Sequence, residues 1–231
     1  MASSRRDFLA GSSVVLGAGL VLGACKKDDE EEAEVTATED LMREHGVLRR
    51  ALVVYREAAS RLRANATSVP SDALVKTATL FRAFGEDYHE KKLEEAYIFP
   101  AVKTAGGRAA SYVDVLTAQH ARGRELTEYL LATAQAQKIG ASASVVADAL
   151  EAFARMYEEH TAIEDTIIFP AWKKTMSEKQ LDEMGDKFED IEKQTFGKDG
   201  FDDAVLQMDG IEKSLALDDL SKFTAPPAPK A

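Results

Sequence analysis

Two stretches of the chain repeat one pattern: His89-Glu-Lys-Lys-Leu-Glu-Glu-Ala-Tyr-Ile-Phe-Pro100 and His160-Thr-Ala-Ile-Glu-Asp-Thr-Ile-Ile-Phe-Pro170. Each stretch places a histidine and a carboxylate about one helical turn apart, ahead of a Phe-Pro pair. The other two histidines, His45 and His120, lie in two further segments with helical periodicity. Four histidines on four helices, with carboxylates one turn away, is an arrangement with which a helical bundle builds a metal site in its core.

Apolar residues recur at helical spacing through most of the chain, and no strand or hairpin pattern interrupts them. We therefore predict an all-α protein built on an up-down-up-down four-helix bundle, because four long helices with short joints favour that order. Ser71 is the expected N-cap of the second helix, which should run to a break at Phe99-Pro100 with a short extension. The other long helices are expected at about 38–64, 109–137 and 144–169, and additional short C-terminal helices at 177–195 and 201–215.

The predicted domain organisation follows the composition along the chain. An acidic tether joins an N-terminal signal to the bundle, and a helical extension and a disordered tail follow it. The predicted divisions are 1–25 for the signal, 26–37 for the tether, 38–175 for the metal-binding bundle, 176–223 for the extension and 224–231 for the tail.

The first 25 residues resemble an export signal. Ser4-Arg5-Arg6-Asp7-Phe8-Leu9 matches a twin-arginine signal, and Leu22-Gly23-Ala24-Cys25 resembles the lipobox of bacterial lipoproteins. A transmembrane helix is the alternative, but the uncharged run between the two motifs falls short of the ~20 residues that a span needs. We expect twin-arginine export and a lipid anchor on Cys25, which would hold the protein to a membrane on the periplasmic or extracytoplasmic side by that lipid alone.

The composition argues against several classes of protein. The chain has 40 acidic and 29 basic side chains and a net charge of −11, with no dense basic cluster, so we expect no nucleic-acid partner. Cys25 is the single cysteine, which rules out an intramolecular disulfide and a cysteine-based metal site within one chain. No nucleophilic triad, phosphate-binding loop or organic-cofactor motif is present, so any catalysis would have to come from a metal.

The spacing of histidines and carboxylates leaves one ambiguity. His160 and Glu164 are four residues apart and share a helix face. His89 and Glu94 are five residues apart, which an ideal helix points about 140° away from each other. Either the second helix carries a π-bulge, a feature frequent at functional sites, or Glu90 joins the ligands. Ion pairing on a solvated face is the competing interpretation for Glu90, and equally for Glu95 and Asp165.

The motifs Arg43-Glu-His45-Gly, Tyr88-His89-Glu, Gln119-His120-Ala-Arg-Gly-Arg124 and Phe196-Gly-Lys-Asp-Gly-Phe201 give the chain a resemblance to a known family. Over about residues 38–223 it resembles the hemerythrin-like (HHE cation-binding) family, specifically its exported bacterial members. The resemblance implies a cofactor of two non-haem iron ions, oxo- or hydroxo- and carboxylate-bridged, inside the bundle. The implied metal ligands are His45, His89, Glu94, His120, His160 and Glu164, with Glu90 and Asp165 as additional candidates.

Two departures from the oxygen-carrying members bear on function. Arg124 stands where those proteins have a second histidine, and Glu164 stands one residue before the position of their final aspartate, which Asp165 occupies here. The first hypothesis is a di-iron protein that binds O₂ or a related small oxidant, such as NO or peroxide, for sensing, scavenging or delivery at the cell envelope. The alternatives are a di-iron oxidoreductase of peroxidase or ferroxidase type, or an iron-handling protein, and a metal-free interaction module of the envelope.

Overall fold

The computed structural model describes residues 35–229. The expected signal, the lipidated Cys25 and most of the acidic tether lie outside the described residues, as do the last two residues of the tail. Over 35–229 the chain is all-α, with no strand, which confirms the predicted fold class. Within the same range, no helix is both long enough and apolar enough to cross a membrane.

The helices follow one another with short joints. Two α-helical segments are continued by π-helical ones, so that residues 35–229 form four long rods and two shorter C-terminal helices. In order, the elements are α1 (Ala37–Ala64), α2 (Ser71–Leu80), π1 (Phe81–Ile98), α3 (Phe99–Ala105), α4 (Gly107–Gln135), a 3₁₀ turn (Gly140–Ser142), α5 (Ala143–Ile163), π2 (Glu164–Ile168), α6 (Phe169–Lys173), α7 (Glu178–Phe196), α8 (Gly200–Ser214) and a 3₁₀ turn (Leu220–Phe223).

The first rod, α1, shows how the local sequence sets the helix and its buried face. The Thr36 hydroxyl accepts a hydrogen bond from the Glu39 backbone N–H at 3.3 Å and caps the first turn. The apolar residues recur every three or four positions, so they form one stripe that is buried along α5. The stripe carries His45 into the interior together with Leu41, Leu48, Leu52 and Tyr55.

The second rod differs from the prediction in two places. Pro70 is the N-cap and Ser71 the first helical residue, with no side-chain cap, because the proline side chain has no hydrogen-bond acceptor. Pro100 does not break the rod either. It stands in the first turn of α3, where a missing N–H is tolerated, and the helix runs on to Ala105.

The rod between these prolines is π-helical over Phe81–Ile98, and a second π segment precedes Pro170. At the end of each segment a phenylalanine N–H reaches back five residues to a glutamate carbonyl. Phe99 donates to Glu94, and Phe169 donates to Glu164. The structure thus contains the π-helical alternative for the second rod, and it adds a π turn to the fourth rod that the sequence analysis did not anticipate.

An aromatic cluster packs between the rods and reaches the histidines. Phe81 packs edge-on against Phe153 and Tyr157 with ring centroids 4.8 Å from each, and Tyr55 packs edge-on against Phe153 at 5.2 Å. All four rings are at most 2% exposed. Burying this much aromatic area holds the rods together and fixes the level at which His160, one turn beyond Tyr157, enters the core.

The two C-terminal helices pack on the bundle. α7 begins with a capping box between Ser177 and Gln180, and its Phe188 stacks on Trp172 at 5.7 Å. α7 contacts α1 and π1, while α8 contacts α1 and α2. The division of the chain into a bundle and an extension stays a prediction. Residues 224–229 have no helical structure and are exposed.

Candidate metal centre

The four histidines converge in the middle of the bundle, although each comes from a different rod. Each ring is at most 2% exposed. The Nε2 atoms of His45 and His89 lie 3.0 Å apart, and those of His120 and His160 also lie 3.0 Å apart. The rings therefore form two pairs whose nitrogens face each other.

Two glutamates link the pairs. Glu94 Oε1 lies 3.4 Å from Nε2 of His89, and its Oε2 lies 3.3 Å from Nε2 of His120. Each oxygen of this carboxylate thus faces a different histidine pair.

Glu164 repeats the arrangement from the opposite side. Its Oε2 lies 3.5 Å from Nε2 of His45, and its Oε1 lies 3.0 Å from Nε2 of His160. We call the place among His45, His89, Glu94 Oε1 and Glu164 Oε2 position 1. The place among His120, His160, Glu94 Oε2 and Glu164 Oε1 is position 2. Each position has two imidazole nitrogens and two carboxylate oxygens.

The π-helical segments explain how these side chains reach the centre. In a π turn, hydrogen bonds run from residue i to i+5, so His89 and Glu94 come onto one face although five residues separate them. The structure therefore resolves the spacing ambiguity without bringing Glu90 to the centre. On the fourth rod, His160 and Glu164 share a face through ordinary i, i+4 spacing at the end of α5.

The residues at the centre fit a cation. Among the residues described, neither oxygen of Glu94 or of Glu164 has a hydrogen-bond partner, and both side chains are fully buried. A buried carboxylate without a partner costs free energy unless a charge balances it. Glu94, Glu164 and the histidines of position 2 place ligand atoms within 4.8 Å of one another, as do Glu94 and the histidines of position 1. Imidazole and carboxylate together are donors that suit iron.

Proton affinities at the centre depart from ordinary values because the charges are buried side by side. Burial lowers the pKa of His120, but the charges of Glu90 and Glu94 raise it more, to about 10. Burial and the neighbouring His120 lower the pKa of His160 to about 3. Burial and the charge of Glu94 raise the pKa of Glu164 well above its usual range. The metal-free centre therefore holds protons, which a bound cation has to displace.

The outward nitrogen of every ring is held by a second side chain. Glu44 Oε2 lies 2.6 Å from Nδ1 of His89, and Asp165 Oδ1 lies 2.7 Å from Nδ1 of His45. A carboxylate on Nδ1 fixes the tautomer in which Nε2 is free to bind a metal, and it strengthens the imidazole as a donor.

At position 2 the outward partners are Glu95 and Gln119. Glu95 Oε1 lies 2.9 Å from Nδ1 of His120, and Gln119 Oε1 lies 2.9 Å from Nδ1 of His160. The Arg124 guanidinium donates to the same Glu95 oxygen at 2.7 Å and to Glu90 Oε2 at 3.1 Å. Arg124 is thus engaged by two carboxylates behind His120.

The predicted additional ligands lie behind the rings. Asp165 touches the outward nitrogen of His45, while Arg49 binds its other oxygen. Glu90 accepts hydrogen bonds from the Tyr157 hydroxyl at 2.7 Å and from Arg124, and it approaches His120 only at Nδ1, at 3.9 Å. The six predicted principal ligands are together at the centre, and these two are not.

Two aromatic rings cover the histidines. Phe99 stacks on His120 with centroids 5.3 Å apart, and Phe169 stacks on His45 at the same distance. The Phe-Pro pair that ends each repeated stretch thus has a structural role in both halves. It places an apolar ring over a histidine of another rod and keeps water from that ring.

Sequence reasoning did not assign roles to Glu44 and Gln119. It left Glu95 as a candidate for a surface ion pair and Asp165 as either a surface ion pair or an additional ligand. A signal was present, because each of the four is the immediate chain neighbour of a predicted ligand. Successive residues of a helix point in different directions. Each of these four side chains therefore faces another rod, where it contacts the Nδ1 atom of a histidine.

Comparisons with known proteins agree with this geometry. An uncharacterized protein of Mycobacterium bovis and two uncharacterized proteins from strains of Mycobacterium tuberculosis are each 46% identical to the chain over 197 residues, which cover 84% of this chain and 76% of each relative. No solved structure matches the chain. Residues 36–172, more than half of the chain and the part that contains every residue of the centre, match the hemerythrin HHE cation-binding domain. The chain therefore belongs to the hemerythrin HHE cation-binding domain family.

Proposed function

We propose that this protein holds two iron ions, one at position 1 and one at position 2, and that Glu94 and Glu164 bridge them. The observation that carries the proposal is the pairing of the four Nε2 atoms with both oxygens of two buried glutamates that have no other partner among the described residues. Position 2 brings two nitrogens and two oxygens within 4.8 Å of one another, and position 1 brings two nitrogens and a Glu94 oxygen within that distance, with Glu164 Oε2 3.5 Å from His45. Imidazole and carboxylate donors of this kind suit iron.

We further propose that the centre binds O₂ or a related small oxidant, NO or peroxide, for sensing, scavenging or delivery. Iron would supply an open coordination position and reversible electron transfer to such a ligand. The protein side chains support that role by excluding water, because Phe99 and Phe169 cover two of the rings and all four rings are at most 2% exposed. A dry pocket around a metal restricts solvent access and tunes the redox potential.

The proposal extends to the architecture and the location of the protein. The four rods would alternate in direction, up-down-up-down, with residues 38–175 as the metal-binding unit and 176–223 as an extension. The twin arginines at Arg5 and Arg6 and the Leu22–Cys25 motif support export in the folded state and a lipid anchor at Cys25. Export after folding would let iron enter the centre before the protein meets competing metals.

A di-iron oxidoreductase is the second candidate, and the network behind His120 favours it. Buried Glu86 and Glu90 lie one turn apart along π1, and the Tyr157 hydroxyl and the Arg124 guanidinium bind Glu90. Carboxylates and a phenol in such a row can move protons toward a redox centre. Steady turnover of peroxide or Fe(II) would distinguish this candidate from stoichiometric binding of a ligand.

A metal-free interaction module is the third hypothesis, and the energetics of the centre disfavour it. Without a metal, the oxygens of Glu94 and Glu164 would stay buried without a hydrogen bond, and the centre would depend on bound protons to balance its charge. This hypothesis predicts that the purified protein carries only substoichiometric, adventitious metal.

Anaerobic loading tests the proposal. The metal-free protein is incubated with Fe(II), freed of excess iron, analysed for metal and then exposed to air while its absorption spectrum is recorded. We expect new near-ultraviolet and visible bands that grow with iron content and that are absent from a His45→Ala, His160→Ala double variant loaded in the same way. An unchanged spectrum in air with iron bound would refute O₂ binding, and repeated consumption of peroxide would favour the enzyme.

A further inference from the structure

The two metal positions are related by an internal repeat that extends beyond the ligands. Rods one and two supply position 1 with His45 and His89, and rods three and four supply position 2 with His120 and His160. Behind the rings, Asp165 supports His45 and Glu95 supports His120, and both carboxylates directly follow a glutamate of the centre.

The repeat continues to the arginines. Arg49 comes four residues after His45 and binds Asp165, and Arg124 comes four residues after His120 and binds Glu95. In both halves an arginine, a carboxylate and an imidazole therefore form one row that ends at the metal position.

The repeat is broken where Glu44 and Gln119 stand. Glu44 directly precedes His45 and supports His89, while Gln119 directly precedes His120 and supports His160. The equivalent place thus carries a charged carboxylate behind position 1 and a neutral amide behind position 2. The Glu44 contact is also the shorter one, 2.6 Å against 2.9 Å for Gln119.

The contacts to the other two rings widen the difference. Asp165 gives one oxygen to His45 and its second oxygen to Arg49. Glu95 gives the same oxygen to both His120 and Arg124, so the arginine competes for the charge that should polarise the ring. An imidazole whose Nδ1–H meets a full carboxylate is a stronger ligand than one that meets an amide or a shared oxygen.

We infer that the two positions differ in affinity, and that position 1 binds a divalent cation more tightly and fills first. The difference between Glu44 and Gln119 is the main determinant of this order. Glu44 and Gln119 are positioning residues, since each acts through a histidine. The inference rests on the proposed two-metal function and adds an order of filling to it. Position 2 is then the weaker and more exchangeable position, with the poorer electron donors.

The test exchanges the two side chains and measures metal affinity. Metal-free protein is titrated with Co(II) alone in the presence of a competing chelator, and the visible Co(II) bands report each equivalent bound. We expect two binding steps in the unaltered protein. Glu44→Gln should weaken the first step about 10- to 100-fold, and Gln119→Glu should strengthen the second by a similar factor, in the range found when supports of metal-binding histidines are changed.

Single-position backgrounds identify the position on which each exchange acts. With position 2 disabled by His120→Ala, Glu44→Gln should weaken the remaining site far more than Gln119→Glu changes it. With position 1 disabled by His45→Ala, the larger effect should come from Gln119→Glu. A general loss of structure could not produce this crossover, and circular dichroism checks the fold of every variant.

A carboxylate-to-amide change elsewhere on α1 provides the matched control. Glu57→Gln removes the same charge at a half-buried site away from the centre, where Glu57 pairs with Arg61, and it should leave both binding steps in place. Two equal steps that both exchanges shift alike would overturn the inference while leaving the two-metal proposal standing. Failure of the unaltered protein to bind a second equivalent would overturn the two-metal proposal itself, and the order of filling with it.

Discussion

A glycine on α4 makes room for a tyrosine beside the centre, and replacing it gives a prediction with a calculable size. In Gly123→Ala the new Cβ would lie 2.0 Å from the Tyr157 hydroxyl oxygen and 2.8 Å from the ring carbon that bears it. Real Cβ atoms do not approach other atoms so closely, so the Tyr157 ring or the α4 backbone must move. The ring is fully enclosed, and its hydroxyl donates to Glu90 Oε1 at 2.7 Å.

Three contributions set the expected change in the free energy of unfolding. Exchanging glycine for alanine within a helix stabilises it by about 1 kcal/mol. Forcing a methyl group into a packed core costs about 1–3 kcal/mol. Loss of the Tyr157 hydrogen bond leaves a buried carboxylate oxygen short of a donor, which costs a further 1–3 kcal/mol or so. The steric and polar costs exceed the helix gain, so Gly123→Ala should destabilise the protein by about 1–5 kcal/mol.

Urea unfolding of the metal-free protein, followed by circular dichroism, measures this change. Gly46→Ala on α1 is the matched control, because a Cβ there meets nothing within 4 Å, and it should be neutral or stabilising. Adding Tyr157→Phe removes the clashing oxygen, so the alanine should cost less in that background than in the unaltered protein. A Gly123→Ala protein as stable as the Gly46→Ala control would refute the account of this contact.

Three further predictions concern the centre, a buried carboxyl and the C-terminal helix. His120→Ala should lower bound iron and the metal-dependent part of stability, since metal affinity is part of the folding free energy; unchanged iron content, by metal analysis, would remove His120 from the ligands. Burial raises the pKa of Glu86 to about 7, so the folded state keeps a proton that the unfolded state loses at lower pH. The free energy of unfolding should therefore fall by up to about 3 kcal/mol as the pH rises from 4.5 to 8. Urea unfolding of Glu86→Gln should not show that fall. The same pH dependence in this variant as in the unaltered protein would contradict the raised pKa of Glu86. Arg50→Ala removes the ion pairs to Asp209 and Glu212 that hold α8 on α1. Because these ion pairs are partly exposed, the free energy of unfolding should fall by about 1 kcal/mol. Hydrogen exchange should accelerate in α8 first, and uniform acceleration across the protein would argue against a role of Arg50 in holding α8.

The helices were predictable because their signals are local. The apolar spacing along the first rod placed it at about 38–64, and the structure has Ala37–Ala64. The sequence predicted a short helical extension after Pro100, which the structure contains as α3, but it wrongly took the proline itself as a break. A proline in the first turn of a following helix needs no N–H, so the rod continues to Ala105. Local spacing alone does not distinguish these two roles of a proline.

The sequence predicted that the four histidines, Glu94 and Glu164 meet in the core, and it did not predict the side chains that support them. The five-residue spacing of His89 and Glu94 left Glu90 as an alternative in the sequence, and the π-helical segment is what brings Glu94 to the centre. Glu44 and Gln119 act across helix interfaces, and the rotation of one rod against another is not encoded in the periodicity of either. Gly123 shows the same limit, since its partner Tyr157 lies on another rod.

The central claim is that the two histidine pairs and the two shared glutamates hold a pair of metal ions. Its most direct test is to count the iron retained per chain after anaerobic loading of the metal-free protein and removal of free metal. The account predicts two iron ions per chain, and one in a variant in which His160→Ala disables position 2. Less than one iron per chain, with the same content in the variant, would contradict it.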